Sequence, residues 1–268
     1  MSTSTITVET VDAHRWRIII GNPPTNLVTP DFVRDLHATV ERVNADPDLK
    51  VVVFESADEH FWLNHFDLAQ VTDFPPLWTD AVVKLSTSPV ISIAKIRGRA
   101  RGGGDELLLA CDLRYASRER AVVGQIEVGT GILPGGGATE RLPRLIGRDR
   151  ALEAVLSSQD YSADLAERYG WVTRAVPDAE LDDLVDAFAT RLAGFDKTAL
   201  ATAKAQINRA SLPPEQDLHT AYGEFLGSLA WPGFHQRLGG LRELYAQHGA
   251  DLELNLGSHL GSLQHDHS

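Results

Sequence analysis

Gly102, Gly103 and Gly104 run directly into Asp105 and Glu106 and then into the apolar residues 107–110, so a bare-backbone turn opens a buried helix with carboxylates in its first turn. Without Cβ atoms such a turn lets a ligand oxygen approach the main chain closely. The first N–H groups of a helix also lack an internal partner and carry the positive end of its dipole. Two readings fit these residues. The turn can hold an oxyanion with Glu106 beside it as acid or base, or it can be a plain turn whose acids favour the helix dipole. A second glycine loop, Pro134-Gly135-Gly136-Gly137, lacks the Lys-Ser/Thr pair of a nucleotide-phosphate loop and reads as a tight turn before a helix.

The elements that must position these residues alternate in type. Residues 6–11 and 15–20 read as strands, closed by a turn at 21–24 where two prolines prevent further pairing. Thr29 can cap a helix starting at Pro30, with Phe32, Leu36, Val40 and Val43 on one face. Residues 51–54 and 90–96 are continuous apolar strands of the kind covered on both faces, and the second feeds the glycine turn. A helix over 105–112, a strand near 113–116, a segment 122–125 leading to Glu127 and a helix over 138–146 follow. Beyond residue 150 the pattern is mostly helical, with 172–176 the last strand and Leu181, Leu184, Val185, Phe188 and Leu192 forming one apolar face. Further helices are expected over 197–210 and 215–229, with the last ending near Gly249. The segment after it, ending in residues 264–268, reads as a mobile tail whose His259, His265 and His267 lack metal-ligand spacing. The expectation is an α/β core over 1–195 with a helical extension over 196–268.

Composition narrows the class of protein. A net charge of −12 opposes a general nucleic-acid or anionic-membrane binder, since either needs a positive surface. Cys111 is the only cysteine, so no internal disulfide can form, and it reads as a buried small hydrophobe in a reducing compartment. No stretch approaches the ~18 apolar residues of a membrane span, and the polar residues 2–5 do not read as a signal peptide. A cytoplasmic location is expected.

Taken in order, the motifs resemble the enoyl-CoA hydratase/isomerase, or crotonase, superfamily over residues 6–210. They are Asn22-Pro23-Pro24-Thr25-Asn26, the Val51-Val52-Val53-Phe54 strand, Asp67-Leu68, Pro89-Val90-Ile91, Gly102-Gly103-Gly104-Asp105-Glu106-Leu107 and Ala110-Cys111-Asp112-Leu113-Arg114. Gly124-Gln125-Ile126-Glu127, Leu133-Pro134-Gly135-Gly136-Gly137 and Arg141-Leu142-Pro143-Arg144 complete the set. The resemblance implies a crotonase-like α/β spiral of ββα units with a C-terminal helical region that packs homotrimers, often paired as dimers of trimers. It implies an acyl-CoA substrate, with coenzyme A entering as part of that substrate and no bound cofactor or metal. It further implies that two main-chain N–H groups, at Asn64 and Gly103 by position, stabilise a thioester enolate. Donors of this kind are typically worth about 10²- to 10³-fold in rate. Glu106 and Glu127 match the two hydratase glutamates. Together they can hold one water, Glu106 helping to deprotonate it for attack at the β-carbon while Glu127 delivers a proton to the α-carbon.

The chain departs from the family pattern around the first donor. Phe61-Trp62-Leu63-Asn64-His65-Phe66-Asp67-Leu68 carries His65 where members usually have glycine. That imidazole can act as an extra base, bond a thioester oxygen, narrow the acyl channel or serve structurally. Trp62, Phe66 and Gly102 complete the expected substrate wall. The basic residues that usually meet CoA phosphates near this loop are missing, which leaves Arg97, Arg99, Arg101, Arg237 and Arg242 as candidates. A hydratase is the first reading. An isomerase or C–C bond hydrolase with His65 assisting, or a non-catalytic acyl-CoA-binding member, are the alternatives.

Overall fold

The computed structural model describes residues 4–74, 76–249 and 251–262. Residues 2 and 3 of the polar N-terminus, and the end of the expected tail with His265 and His267, lie outside the described residues.

The chain opens with the antiparallel pair β1 (Ile6–Asp12) and β2 (Arg15–Ile20), followed by α1 (Pro30–Ala45). Thr29 caps α1 by accepting the Phe32 N–H at 3.2 Å, and Pro30 occupies its first turn. Three passes of strand, strand and helix come next. These are β3 (Val51–Ser56), β4 (Phe61–Leu63) and α2 (Trp78–Thr87); β5 (Ile91–Ile96), β6 (Arg99–Arg101) and α3 (Gly103–Ala110); and β7 (Leu113–Ser117), β8 (Val122–Gly124) and α4 (Glu127–Thr130). Then follow α5 (Ala138–Ile146), α6 (Arg148–Ser157), β9 (Tyr161–Ser162), α7 (Ala163–Tyr169) and β10 (Arg174–Val176). The rest is helical: α8 (Asp178–Ala193), α9 (Lys197–Ser211), α10 (Glu215–Ser228), α11 (Pro232–His248), α12 (Asp251–Leu254) and α13 (Leu256–Ser262).

Each pass gives its first strand to a six-stranded sheet, β1-β2-β3-β5-β7-β10, and its second to a four-stranded sheet, β4-β6-β8-β9. The result is the spiral of ββα turns that the sequence resemblance implies. β3 and β5 read as unbroken apolar runs because both faces of the large sheet are covered. Val51, Val53 and Ile93 pack beneath Leu181, Val185 and Ala189 of α8, while Val52, Phe54, Ala94 and Ile96 face the main core. Among the described residues no helix is long and apolar enough to cross a membrane.

Two expectations need correction. The small sheet was not legible, because β4, β6 and β9 have three, three and two residues, too few to show a period. The segment after Gly249 is not a tail as far as residue 262. Leu252, Leu256 and Leu260 recur every four residues and are buried against Ile126, which pins α12 and α13 to the core.

The helical extension is tied to the core by an ion pair between buried Lys204 and part-buried Asp112. Lys204 of α9 donates to Asp112 Oδ2 at 2.7 Å and to the Val90 carbonyl at 3.0 Å, and Asp112 also accepts from the Ser92 N–H at 2.8 Å. Removing one partner of a buried pair leaves the other charge uncompensated. Lys204→Met is therefore expected to destabilise the protein by about 3 kcal/mol or more, read from urea unfolding midpoints; a change within about 0.5 kcal/mol, the range of an ordinary surface substitution, would show that the pair does not anchor α9.

Candidate active site

The glycine turn stands where β6 of the small sheet becomes α3. Gly102 adopts φ +51°, its N–H donates to the Gly124 carbonyl at 2.9 Å, and its carbonyl accepts the Glu106 N–H at 2.9 Å. A Cβ at Gly102 would collide with the Glu127 carboxylate, and one at Gly104 would collide with the Leu63 carbonyl. The main chain thus needs glycine at both points to bring α3 against β4 and the site.

Glu106 is fully buried. Its Oε1 accepts the N–H groups of Gly136 at 2.6 Å and Ala138 at 3.2 Å, so the second glycine loop cradles this carboxyl at the N-terminus of α5. Glu127, the first residue of α4, is 7% exposed. Among the described residues neither Glu106 Oε2 nor Glu127 Oε2 has a hydrogen-bond partner. Burial, and then repulsion from Glu127, pushes Glu106 well above the usual carboxylate range. Burial likewise pushes Glu127 up to about 7. Asp105 turns away from the pair; its oxygens accept from the Gln125 amide at 2.6 Å and the Trp171 indole at 2.9 Å. Burial outweighs those bonds and raises its pKa to about 8. Cys111 is buried as expected, and burial pushes its thiol up to about 12.

The first donor must be reassigned. The Asn64 N–H is already committed, donating to the Asn26 carbonyl at 2.8 Å, and its side-chain amide donates to Glu253 Oε2 at 2.7 Å. Phe66 forms a parallel bridge with Val28, in which the Val28 N–H donates to the His65 carbonyl at 2.9 Å and the Asp67 N–H to the Val28 carbonyl at 2.8 Å. The Phe66 N–H therefore faces the other way. It engages no hydrogen bond among the described residues, and neither does the Gly103 N–H at the first position of α3. The two residues adjoin: a Cβ at Gly103 would lie 2.8 Å from the Phe66 ring.

Several expected ligand contacts fall elsewhere. Trp62 is fully buried in the main core. Arg101 is also fully buried; it holds Asp160 through two bonds of 2.7 Å and donates to the carbonyls of Glu253 and Leu254. Arg99 donates to the Leu254 carbonyl at 2.7 Å, Arg97 pairs with Asp178 and Asp182, and Arg237 binds the carbonyls of Gly129 and Leu260. Of the five candidate cations only Arg242 reaches the site cavity, from α11.

That cavity is about 300 Å³ and has Glu127 and His65 in its wall beside Phe66, Ile126, Phe225 and Leu241. Its closing residue is Glu253 of α12, which the sequence reading missed. The only signal was the four-residue leucine spacing around it. A larger cavity of about 430 Å³, between α3, α8 and α9, contains neither glutamate. Among the described residues one cluster, His37, Glu41 and Asp80, has metal-ligand proximity. There the Lys84 ammonium pairs with both carboxylates and supplies the positive charge.

A spiral of ββα turns with a glycine turn opening its third helix is a crotonase-like α/β architecture. The chain belongs to the enoyl-CoA hydratase/isomerase family, whose profile matches residues 16–226. It is 32% identical to the crotonyl-CoA hydratase of Syntrophomonas wolfei over 193 residues, 68% of this chain and 73% of that one. It is 30% identical to the short-chain-enoyl-CoA hydratase of Clostridium acetobutylicum over 192 residues, 69% of this chain and 73% of that one. Among solved structures, a "putative enoyl-CoA hydratase" of Streptomyces avermitilis superposes with a TM-score of 0.93 at 44% identity, covering 98% of this chain and 99% of that one.

The raised acids make stability depend on pH in an unusual direction. Between about pH 4, where carboxyls of an unfolded chain titrate, and the folded values near 7 and 8, the unfolded chain has released protons that folded Glu127 and Asp105 keep. Their stabilising contribution is complete below pH 4 and is lost as pH rises through 7 to 8. The slope is at most about 1.4 kcal/mol per pH unit for each proton. Urea midpoints are expected to fall between pH 5 and 8.5, and less steeply in Asp105→Asn; midpoints that rise over this range would contradict the assignment.

Proposed function

We propose that the protein is an enoyl-CoA hydratase that adds water across the double bond of a 2-enoyl-CoA. The observation that carries this reading is the pair of buried carboxyls, each with one unengaged oxygen, Glu106 Oε2 and Glu127 Oε2. Water lodged between them loses a proton to Glu106 as its oxygen bonds to the β-carbon. The electron pair of the double bond moves toward the thioester carbonyl, and Glu127 transfers its proton to the α-carbon. The Gly103 and Phe66 N–H groups hold the oxygen on which negative charge develops, and as fixed dipoles in a dry site they need no reorganisation. Carboxyls with raised pKa values suit this chemistry, since one must take a proton while the other still has one to give.

The apolar cavity beside Glu127 receives the acyl chain in this reading. Residues 196–268 form the oligomerisation region of a homotrimer or dimer of trimers, a role supported by the exposed Ile207 and Leu226 on its helices and Trp231 just before α11. The alternatives that use His65 as a base lose support because both its ring nitrogens face acceptors.

Purified protein is expected to consume the conjugated absorbance of crotonyl-CoA or a longer enoyl-CoA. Glu106→Gln and Glu127→Gln should each lower kcat by about 10²- to 10⁴-fold with the circular dichroism spectrum unchanged. Absence of turnover across straight and branched enoyl-CoAs would overturn the reading. Because Glu127 acts as the acid with a pKa of about 7, kcat/KM for hydration should decline as pH rises past that value; a rate that climbs steadily from pH 6 to 9 would assign its role differently.

A further inference from the structure

His65 is the residue that the proposed reaction leaves without a task, and its surroundings define one. Its Nδ1 lies 2.9 Å from the Phe66 carbonyl, which can only accept, so that nitrogen carries hydrogen. Its Nε2 lies 3.2 Å from Glu253 Oε2. The same oxygen accepts the Asn64 side-chain amide at 2.7 Å, and Glu253 Oε1 accepts the Tyr245 hydroxyl at 2.6 Å. A buried carboxyl that already accepts from two donors is held ionised, and its oxygen facing Nε2 can then only accept, so the second ring nitrogen donates as well and the ring is an imidazolium.

We infer that Glu253 and His65 form a permanent ion pair that fixes the donor loop and places a positive charge beside Glu127, making Glu253 a positioning residue for the reaction proposed above. The loop is held from both sides. The His65 carbonyl is bonded to the Val28 N–H, the Phe66 carbonyl to the His65 ring, and the Asn64 side chain to Glu253, so the peptide presenting the Phe66 N–H cannot rotate. Gly102 lies between His65 and Glu127, since a Cβ there would be 3.2 Å from His65 Cβ and would strike the Glu127 carboxylate.

The groups facing this pair come from five elements. Glu253 is on α12, Tyr245 and Arg242 on α11, Glu127 on α4, Arg101, paired with Asp160, at the end of β6, and Asp67 on the loop itself. Burial opposes a charged ring, but the Glu253 carboxylate and the bonds to Glu253 and Phe66 outweigh it and raise His65 above its ordinary value. Burial also opposes an ionised Glu253, but the His65 charge and the three hydrogen bonds lower it to about 2. The imidazolium in turn favours ionised Glu127, against the burial that raises it.

Two readouts on the full chain test the pair. The first needs no turnover: nitrogen-detected NMR titration of His65. The wild-type ring should remain doubly protonated above the ~6.5 of a free imidazole, and Glu253→Gln should make it neutral there. A wild-type ring that is neutral at pH 7 overturns the inference even if the variant fails to fold. The second is the pH profile of enoyl-CoA hydration. Loss of the neighbouring positive charge should move the decline assigned to Glu127 upward by about one pH unit. It should lower kcat about tenfold or more through the misplaced loop while changing KM less. Glu253→Asp should restore the profile. A variant with reduced kcat but an unshifted decline and a still-protonated His65 would leave Glu253 a packing residue only and overturn the inference. Persistent imidazolium with no hydration of any enoyl-CoA would instead uphold the ion pair and sink the proposed reaction.

Discussion

Two carboxyl groups have been withdrawn from water with no counter-ion directly on them, and much of the local architecture follows from that constraint. An isolated buried carboxylate costs far more than a hydrogen bond returns, so such groups stay protonated or borrow main-chain donors. Glu106 borrows two from the start of α5. Bringing main chain that close leaves no room for side chains, which is why Gly102, Gly104 and Gly136 each sit where a Cβ would strike a carboxylate or a carbonyl. The two glycine loops thus converge, one leaving the Gly103 N–H unengaged among the described residues and the other holding the Glu106 carboxyl.

The site was legible in the sequence to the extent that it is local. Glu106 and Gly103 share the first turn of one helix, and the turn's composition reveals both. The strands of the large sheet were legible for a similar reason: burial on both faces leaves continuous apolar runs. The donor in the first loop was not, because the identity of a side chain says nothing about which way its peptide N–H points. Asn64 and Phe66 are two positions apart, and only the bridge to Val28 decides between them. Arg101 read as a phosphate ligand because its partner Asp160 lies 59 residues away. Glu253 was missed because it reaches Asn64 across 189 residues, a separation at which no periodicity can speak.

Three of the cations expected to meet a CoA phosphate instead hold the end of the described chain. Arg99 and Arg101 leave β6 and hold carbonyls of residues 253 and 254, while Arg237 holds the carbonyls of Gly129 and Leu260. An arginine with several carbonyl and carboxylate acceptors is a strong multidentate tie. The arrangement turns a four-residue helix, too short to be stable alone, into a wall of the cavity. Lys204 plays the corresponding part for α9 on the far side of the large sheet.

The bridge between Val28 and Phe66 has a consequence for how the protein can change over evolutionary time. Because the amide is held by main-chain bonds of its neighbours to Val28, variation at position 66 can repaint the cavity wall while leaving the dipole in place. A site whose catalytic dipole was a side chain would forfeit it with each such exchange. Here the direction of the amide is set by the bridge and the lining of the cavity by the side chain, so the two can change separately.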